Sequence, residues 1–345
     1  MAKKTEIRWQ EMLESCWQRL AATYWDRGRR GFYESRPRRL GDPVWAYNWG
    51  FGAVLAAASS IWKTMAGPDF LARDIDGLAS VLSGYELGGP FRYSSTTRLA
   101  RRVPGDVFYD DNAWIGLAAL DFGALADWES RAALVFRFML QGVDATSGGV
   151  FWKERPRASL HVCSTGPAAL LGAQLYRREP EAWDFNVVQN LMRWLQTMRA
   201  PDGRYWDNLN VVQGRIDKTL HTYNCGTPLH AMAVLEGLPE CGFRAEVEDT
   251  VGSLGAFLDA SGRLPPTPWF NAVLLRGLKA VKEVYGIEPP LLEVYRQDMQ
   301  DAISQFRRGN SVLKLESRDD RRDGIMVRDA AAAIEILALL AGWDR

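Results

Sequence analysis

Cysteine, histidine and lysine are all scarce in this chain, and each scarcity removes a class of function. The four cysteines of the 345 residues, Cys16, Cys163, Cys225 and Cys241, show no CxxC spacing and no paired framework. They read as reduced thiols, neither zinc ligands nor disulfides. The three histidines, His161, His221 and His230, form no HExxH or comparable ligand set, so neither a metal nor a cofactor is expected. Net charge is also missing: 42 basic and 42 acidic residues cancel, which leaves no broad basic face and argues against a nucleic-acid partner. No run approaches the roughly 20 apolar residues of a membrane span, and the start MAKKTEIRWQEM has no apolar core of a secretion signal, so a cytoplasmic location is expected. Of the bases only 8 are Lys and 34 are Arg, a bias that is either genomic or suited to planar recognition of anions.

Apolar residues, at 47% of the chain, are plentiful enough for a large core, and they are arranged in repeats. A glycine followed by bulky residues recurs as RGFYE at Gly31, GGPFRY at Gly89, GGVFWK at Gly149 and DGRYW at Gly203, with weaker copies SGRL at Gly262 and DGIM at Gly324. The intervals run from 54 to 62 residues, making six units. Each glycine precedes a small-residue helix that is apolar nearly all round, beginning near Tyr47, Tyr109, Cys163, Tyr223, Pro266 and Val327, as a helix buried on several sides should be. Between these lie amphipathic segments such as those from Glu6, Glu181 and Pro290. Six inner and six outer helices predict an all-α (α/α)6 barrel formed by residues 1–345 as one domain, and no long period-two segment predicts a sheet.

Connections from inner to outer helices are short and rich in breakers, whereas those from outer to inner are long, near 26–45, 85–105, 142–162 and 200–221. All the long loops then fall at one end, with the N-termini of the inner helices. That end carries Phe32, Tyr33, Trp45, Phe91, Tyr93, Phe151, Trp152, Tyr205 and Trp206, flat faces of the kind that stack on sugar rings, or that close a barrel rim. Asn48, Asp207, Asn208 and Asn224 supply polar groups among them, and His161 and His221 are further groove candidates, while His230 reads as a core residue. Asp319, Asp320 and Asp323 read as a solvated loop with Arg321 and Arg322.

At the start of the second inner helix stands FYDDNAW, residues 108–114, where Asp110 and Asp111 are adjacent. One acid suffices to cap a helix, and two neighbouring carboxylates repel each other. Glycoside cleavage, by contrast, needs two carboxyl groups, one ionised and one protonated, about 5–5.5 Å apart for a double displacement. Adjacent residues at a helix start reach that separation, and each charge helps to keep a proton on its neighbour.

FYDDNAWIGL resembles the YDD-x-x-W signature of glycoside hydrolase family 76, the α-1,6-mannanase family, whose fold is an (α/α)6 barrel. GGVFWK at 148–153, STGPAALLGAQLYR at 164–177 and TYNCG at 222–226 are similar to further segments of that family, in the same order. The resemblance implies a retaining hydrolase of α-mannosidic linkages with Asp110 as nucleophile and Asp111 as acid/base, and an oligosaccharide or polysaccharide as its partner. It adds Tyr109, Trp114 and Tyr223 to the expected substrate-binding residues. The chain departs from the family at Ile115, where an aromatic is frequent, and at Cys225, where Gln is usual. Two alternatives stand beside this reading. An intracellular hydrolase of unsaturated uronides on the same barrel would use the Arg-rich mouth of Arg36, Arg38, Arg39, Arg98, Arg101, Arg102, Arg155 and Arg157. A non-catalytic carbohydrate-binding barrel would keep the aromatics alone.

Overall fold

The computed structural model describes residues 2–343 apart from 39, 89–90, 101–102, 124–127, 240, 310 and 318–323. Gly89, Arg39, Arg101, Arg102 and the group Asp319, Asp320, Arg321, Arg322 and Asp323 thus lie outside the described residues. In chain order the helices are α1 (Ala2–Tyr24), α2 (Asn48–Thr64), α3 (Asp69–Leu82), α4 (Tyr109–Phe122), α5 (Trp128–Leu140) and α6 (Val162–Arg178). They continue as α7 (Phe185–Thr197), α8 (Thr222–Leu235), α9 (Arg244–Ser253), α10 (Pro268–Tyr285), α11 (Leu292–Arg308) and α12 (Val327–Ala341).

The even-numbered helices form a closed ring. α2 packs on α4, α4 on α6, α6 on α8, α8 on α10, α10 on α12, and α12 back on α2. The odd-numbered helices lie outside them, α3 against α2, α5 against α4, α7 against α6 and α9 against α8, while α1 and α11 cover α12. This is the expected (α/α)6 barrel. The helices differ as their positions demand: α7 and α11 bury one stripe only, whereas every residue from Val54 to Ala58 on α2 and from Ala330 to Ile334 on α12 is buried. Small side chains let the inner backbones approach closely. At the α8–α10 contact a Cβ on Gly277 would run into the Gly226 carbonyl oxygen, so only glycine fits there.

Below the mouth the lumen is closed by charge. Arg276 of α10 donates to Asp121 of α4 at 2.6 Å, to Glu335 of α12 at 2.8 Å and to the Ser60 hydroxyl of α2 at 2.8 Å. Lys63 pairs with Asp121 at 3.1 Å. Burial raises Glu335, with Arg276 offsetting it in part, while burial of Asp121 is outweighed by Lys63 and Arg276, which hold it well below the usual carboxylate range. His230 borders this cluster half-buried at a cavity beside α10, and burial followed by the Lys63 and Arg276 charges lowers it to about 3, so it is neutral.

The expectation of no sheet needs correction. A three-stranded antiparallel sheet joins Ser159–His161, Trp206–Asn210 and Arg215–Leu220 at the mouth, and three two-residue strand pairs stitch other loops. The hairpin escapes a search for clean alternation because both faces of its last strand are largely wet and a bulge shifts its register between Trp206 and Asn208. Among the described residues no helix is long and apolar enough to cross a membrane.

Candidate active site

The N-termini of the inner helices converge on a cleft of about 450 Å³. Its wall is drawn from helix starts: Tyr47 and Trp49 at α2, Phe108, Asp110, Asp111 and Trp114 at α4, His161 and Cys163 at α6, His221, Tyr223 and Asn224 at α8, and Trp269 and Phe270 at α10. Ser95, Trp152 and Asp207 enter from loops and from the small sheet. The cleft therefore holds three carboxyl groups, and no Lys or Arg lines it among the described residues.

The acid pair is not a cap. The N-cap of α4 is Phe108, which makes no side-chain capping bond, and both acids sit in the first turn that follows. Burial raises Asp110 to about 6, tempered by the backbone N–H groups of Asp111 and Asp110 and by the Trp152 and Cys163 side chains. Asp111 is raised further: burial acts first, the Asp110 charge adds to it, and no side chain donates to it among the described residues. Burial thus raises both carboxyls, and the Asp110 charge beside Asp111 favours a shared proton on the pair.

Around them the walls are locked. Trp114 Nε1 donates to the Tyr223 hydroxyl at 2.5 Å, and that hydroxyl donates to the Cys163 carbonyl at 3.2 Å. Trp114 also meets Trp269 edge-on at 4.9 Å, and the Arg276 guanidinium lies 5.7 Å from its ring, so this indole forms the cleft floor above the ionic cluster. Asp207 accepts from Asn224 Nδ2 at 3.1 Å and from Asn208 Nδ2 at 2.9 Å, with His161 Nδ1 at 3.9 Å and His221 Nε2 at 4.0 Å. Trp152, 39% exposed, stacks on His161 at 5.1 Å and presents an open face to the cleft.

Of the residues expected from sequence, Asp110, Asp111, Trp114, Trp152, His161, Asp207, His221, Tyr223 and Asn224 come together here. Others do not. Tyr109 is fully buried and stacks on Phe138, because helical spacing turns it outward while Asp110, Asp111 and Trp114 face the lumen. Phe151 is buried on the far side of the extended segment whose next residue is Trp152. Trp45 is buried and stacked on Tyr33 at 5.0 Å, and Asn48 is fully buried in the first turn of α2. Trp206 lies outside the wall under Lys218, and Asn208 touches the cleft only through its bond to Asp207. Phe32, Tyr93 and Tyr205 are rim architecture, each nearly fully buried, and Ile115 and Cys225 are core residues away from the groove.

Sequence reasoning missed Tyr47, Trp49, Ser95, Phe108, Cys163, Trp269 and Phe270. All but Ser95 lie within two residues of an inner-helix start, which is the signal that would have found them.

An (α/α)6 barrel with two adjacent carboxyl groups in an aromatic cleft points to the class of glycoside hydrolases, which work with a carboxyl pair. The chain matches glycosyl hydrolase family 76 over residues 8–253, and it belongs to that family. A curated relative, the meiotically up-regulated gene 191 protein of Schizosaccharomyces pombe, is 31% identical over 154 residues. That match covers 39% of this chain and 35% of the relative, so the chain spans about a third of that protein's length. Among solved structures, the family 76 mannosidase Bt3792 of Bacteroides thetaiotaomicron aligns with a TM-score of 0.82 at 21% identity, covering 98% of this chain and 99% of that one. An inactive variant of the α-1,6-mannanase GH76A of Salegentibacter sp., with two neighbouring aspartates replaced, is seen in complex with α-1,6-mannotetrose. It aligns with a TM-score of 0.75 at 19% identity, covering 96% of this chain and 98% of that one.

Proposed function

We propose that this protein is a retaining glycosidase that cleaves α-mannosidic, α-1,6-mannan-like chains, with Asp110 as nucleophile and Asp111 as acid/base. The observation that carries the reading is the difference in surroundings of the two acids: the Cys163 thiol lies 3.7 Å from Asp110 Oδ2, whereas Asp111 has burial and a negative neighbour that favour its proton. In the first step an Asp110 oxygen attacks the anomeric carbon as the glycosidic C–O bond breaks, and the Asp111 proton passes to the departing oxygen. In the second, Asp111 takes a proton from water, whose oxygen displaces Asp110 from the glycosyl ester. Family membership and the mannanase neighbours support mannan as the substrate class.

A neutral sugar fits better than a uronide. Three carboxyl groups without a lining cation repel an anionic substrate, and four of the five described arginines of the mouth, Arg36, Arg38, Arg98 and Arg157, make contacts elsewhere. Arg36 lies over the Tyr33 ring, Arg98 donates to the Glu86 carbonyl and Arg157 donates to the Gln141 carbonyl. Purified protein assayed on a panel of α-mannosides and unsaturated uronides tests this; turnover of uronides alone would overturn it.

The indoles of the two sheet loops are expected to behave differently. Trp152→Ala should weaken oligosaccharide binding by about 1–3 kcal/mol and leave the melting temperature nearly unchanged, because an exposed loop ring contributes to ligand contact more than to the core. Trp206→Ala should leave binding unchanged. Calorimetric titration on both variants checks this, and equal losses would mean that Trp206 also reaches the sugar.

A further inference from the structure

Asp110 and Asp111 differ in what touches them, and the difference begins at Cys163. Its Sγ lies 3.7 Å from Asp110 Oδ2 and 3.8 Å from His161 Nδ1. The other ring nitrogen, His161 Nε2, lies 2.9 Å from the Ser159 hydroxyl. A neutral imidazole donates from one nitrogen and accepts at the other, so the hydrogen bonds select the tautomer. A bare Nδ1 would turn its lone pair toward Asp207 Oδ2, 3.9 Å away, setting acceptor against acceptor. Nδ1–H avoids that conflict. The Ser159 hydroxyl then donates to Nε2, Nδ1–H faces the Cys163 sulfur and Asp207 Oδ2, and the S–H proton has Asp110 Oδ2 as its carboxylate acceptor, with the Ser164 hydroxyl also beside the thiol.

We propose that Ser159, His161 and Cys163 form a positioning relay that fixes a thiol donor on Asp110 and so helps to keep the shared proton of the pair on Asp111. The proposal rests on the reading of Asp110 as nucleophile. Its parts hold the required protonation states. Burial, then the Asp110 and Asp207 charges, raises Cys163 well above the ordinary thiol range, so it remains a donor. Burial lowers His161 against the pull of Asp207 and Asp217, so it is neutral. The titratable groups facing this trio are Asp110 and Asp111 from α4, Asp207 and Asp217 from the hairpin, and His221 and Tyr223 from α8. None of these is a Lys or Arg that would supply the same stabilisation.

The test compares Cys163→Ala, Cys163→Ser and Ser159→Ala. Removing a donor from the charged form of a carboxyl raises its pKa, so in Cys163→Ala the acid limb of kcat/KM should move up by about half a unit, roughly a threefold loss of turnover on that limb. Serine keeps a donor and should return the limb to wild-type or lower. Ser159→Ala, which frees the imidazole and hence the thiol rotor, should shift the limb in the alanine direction by less. The Asp110 carboxyl is also titrated directly in substrate-free protein by carbon-13 NMR, its signal assigned by its loss in Asp110→Asn, and should follow the same order. An unmoved Asp110 titration in Cys163→Ala, or equal shifts in the alanine and serine variants, would overturn the relay and leave Cys163 as packing. If no glycoside is turned over by the wild type, the functional reading fails, and the carboxyl titration still decides the relay.

Discussion

Asp110→Ala is expected to lower turnover at least about a thousandfold on every glycoside that the wild type cleaves, because on the proposed mechanism it removes the attacking carboxylate. Added azide or formate should restore a part of the activity on substrates with good leaving groups, giving a product of inverted anomeric configuration, since the small anion takes the nucleophile's place and nothing displaces it a second time. Asp111→Ala should fail in another way. A leaving group that departs without a proton should still be released in the first step, while poor leaving groups lose most of their rate, so the loss should grow as the leaving group's pKa rises. Neither substitution should unfold the protein. The N-cap is Phe108 and uses no side-chain bond, so α4 loses no cap, and removing a buried acid whose charged form is disfavoured should leave the melting temperature level or raised. Product configuration by NMR, a leaving-group series and a melting curve check the three parts. Near wild-type rates in both variants on a confirmed substrate would make the pair a helix start and nothing more.

The barrel was legible because its signals are local and repeated. Alanine-rich helices recur at a near-constant interval, and the mean length of the loops on either side decides which end is open. Asp110 and Asp111 were legible for the same reason, being the one adjacent pair of acids at an inner-helix start. Which aromatic faces the sugar was not legible. Phe151 and Trp152 are neighbours of similar hydrophobicity, and the choice between them is made by an extended segment whose direction the loop closure sets. Tyr109 shows the converse: its place in a motif suggested contact with substrate, yet helical phase alone turns it onto Phe138 and against Gly142. The hairpin that delivers Asp207 was hidden because its pairing partner is 47 to 51 residues away, from Ser159–His161 across to Asn208–Asn210, and non-local pairing leaves little trace in a short window. His161 and Cys163 owe their significance to that sheet. Their chemistry depends on Ser159 and Asp207, which only the fold brings near.

Arg276→Met is expected to cost about 3–5 kcal/mol of stability near neutral pH, the largest stability loss argued for this chain, because it strands buried carboxyl groups on two other helices. Glu335 is fully buried and would lose its ion-pair partner outright, whereas Asp121 would retain Lys63 at 3.1 Å. The loss should therefore depend on pH in a definite direction. Without Arg276 the folded-state pKa of Glu335 rises further above its unfolded value, so the folded variant holds a proton that the unfolded chain gives up, and stability falls as pH rises through that window. Asp121 in the wild type behaves in the opposite sense: its depressed folded pKa contributes stability above the unfolded value, and that contribution is lost as pH falls. The Glu335 effect makes the gap between wild type and variant widest at neutral pH and narrower near pH 4.5, while the Asp121 contribution is still in place there and is lost only in stronger acid. Denaturant melts at pH 7 and near pH 4.5 measure it. A gap that stays constant with pH would assign the cost to lost packing beneath Trp114, whose ring lies 5.7 Å from the guanidinium, and the charge cluster would then have no part in holding α4, α10 and α12 together.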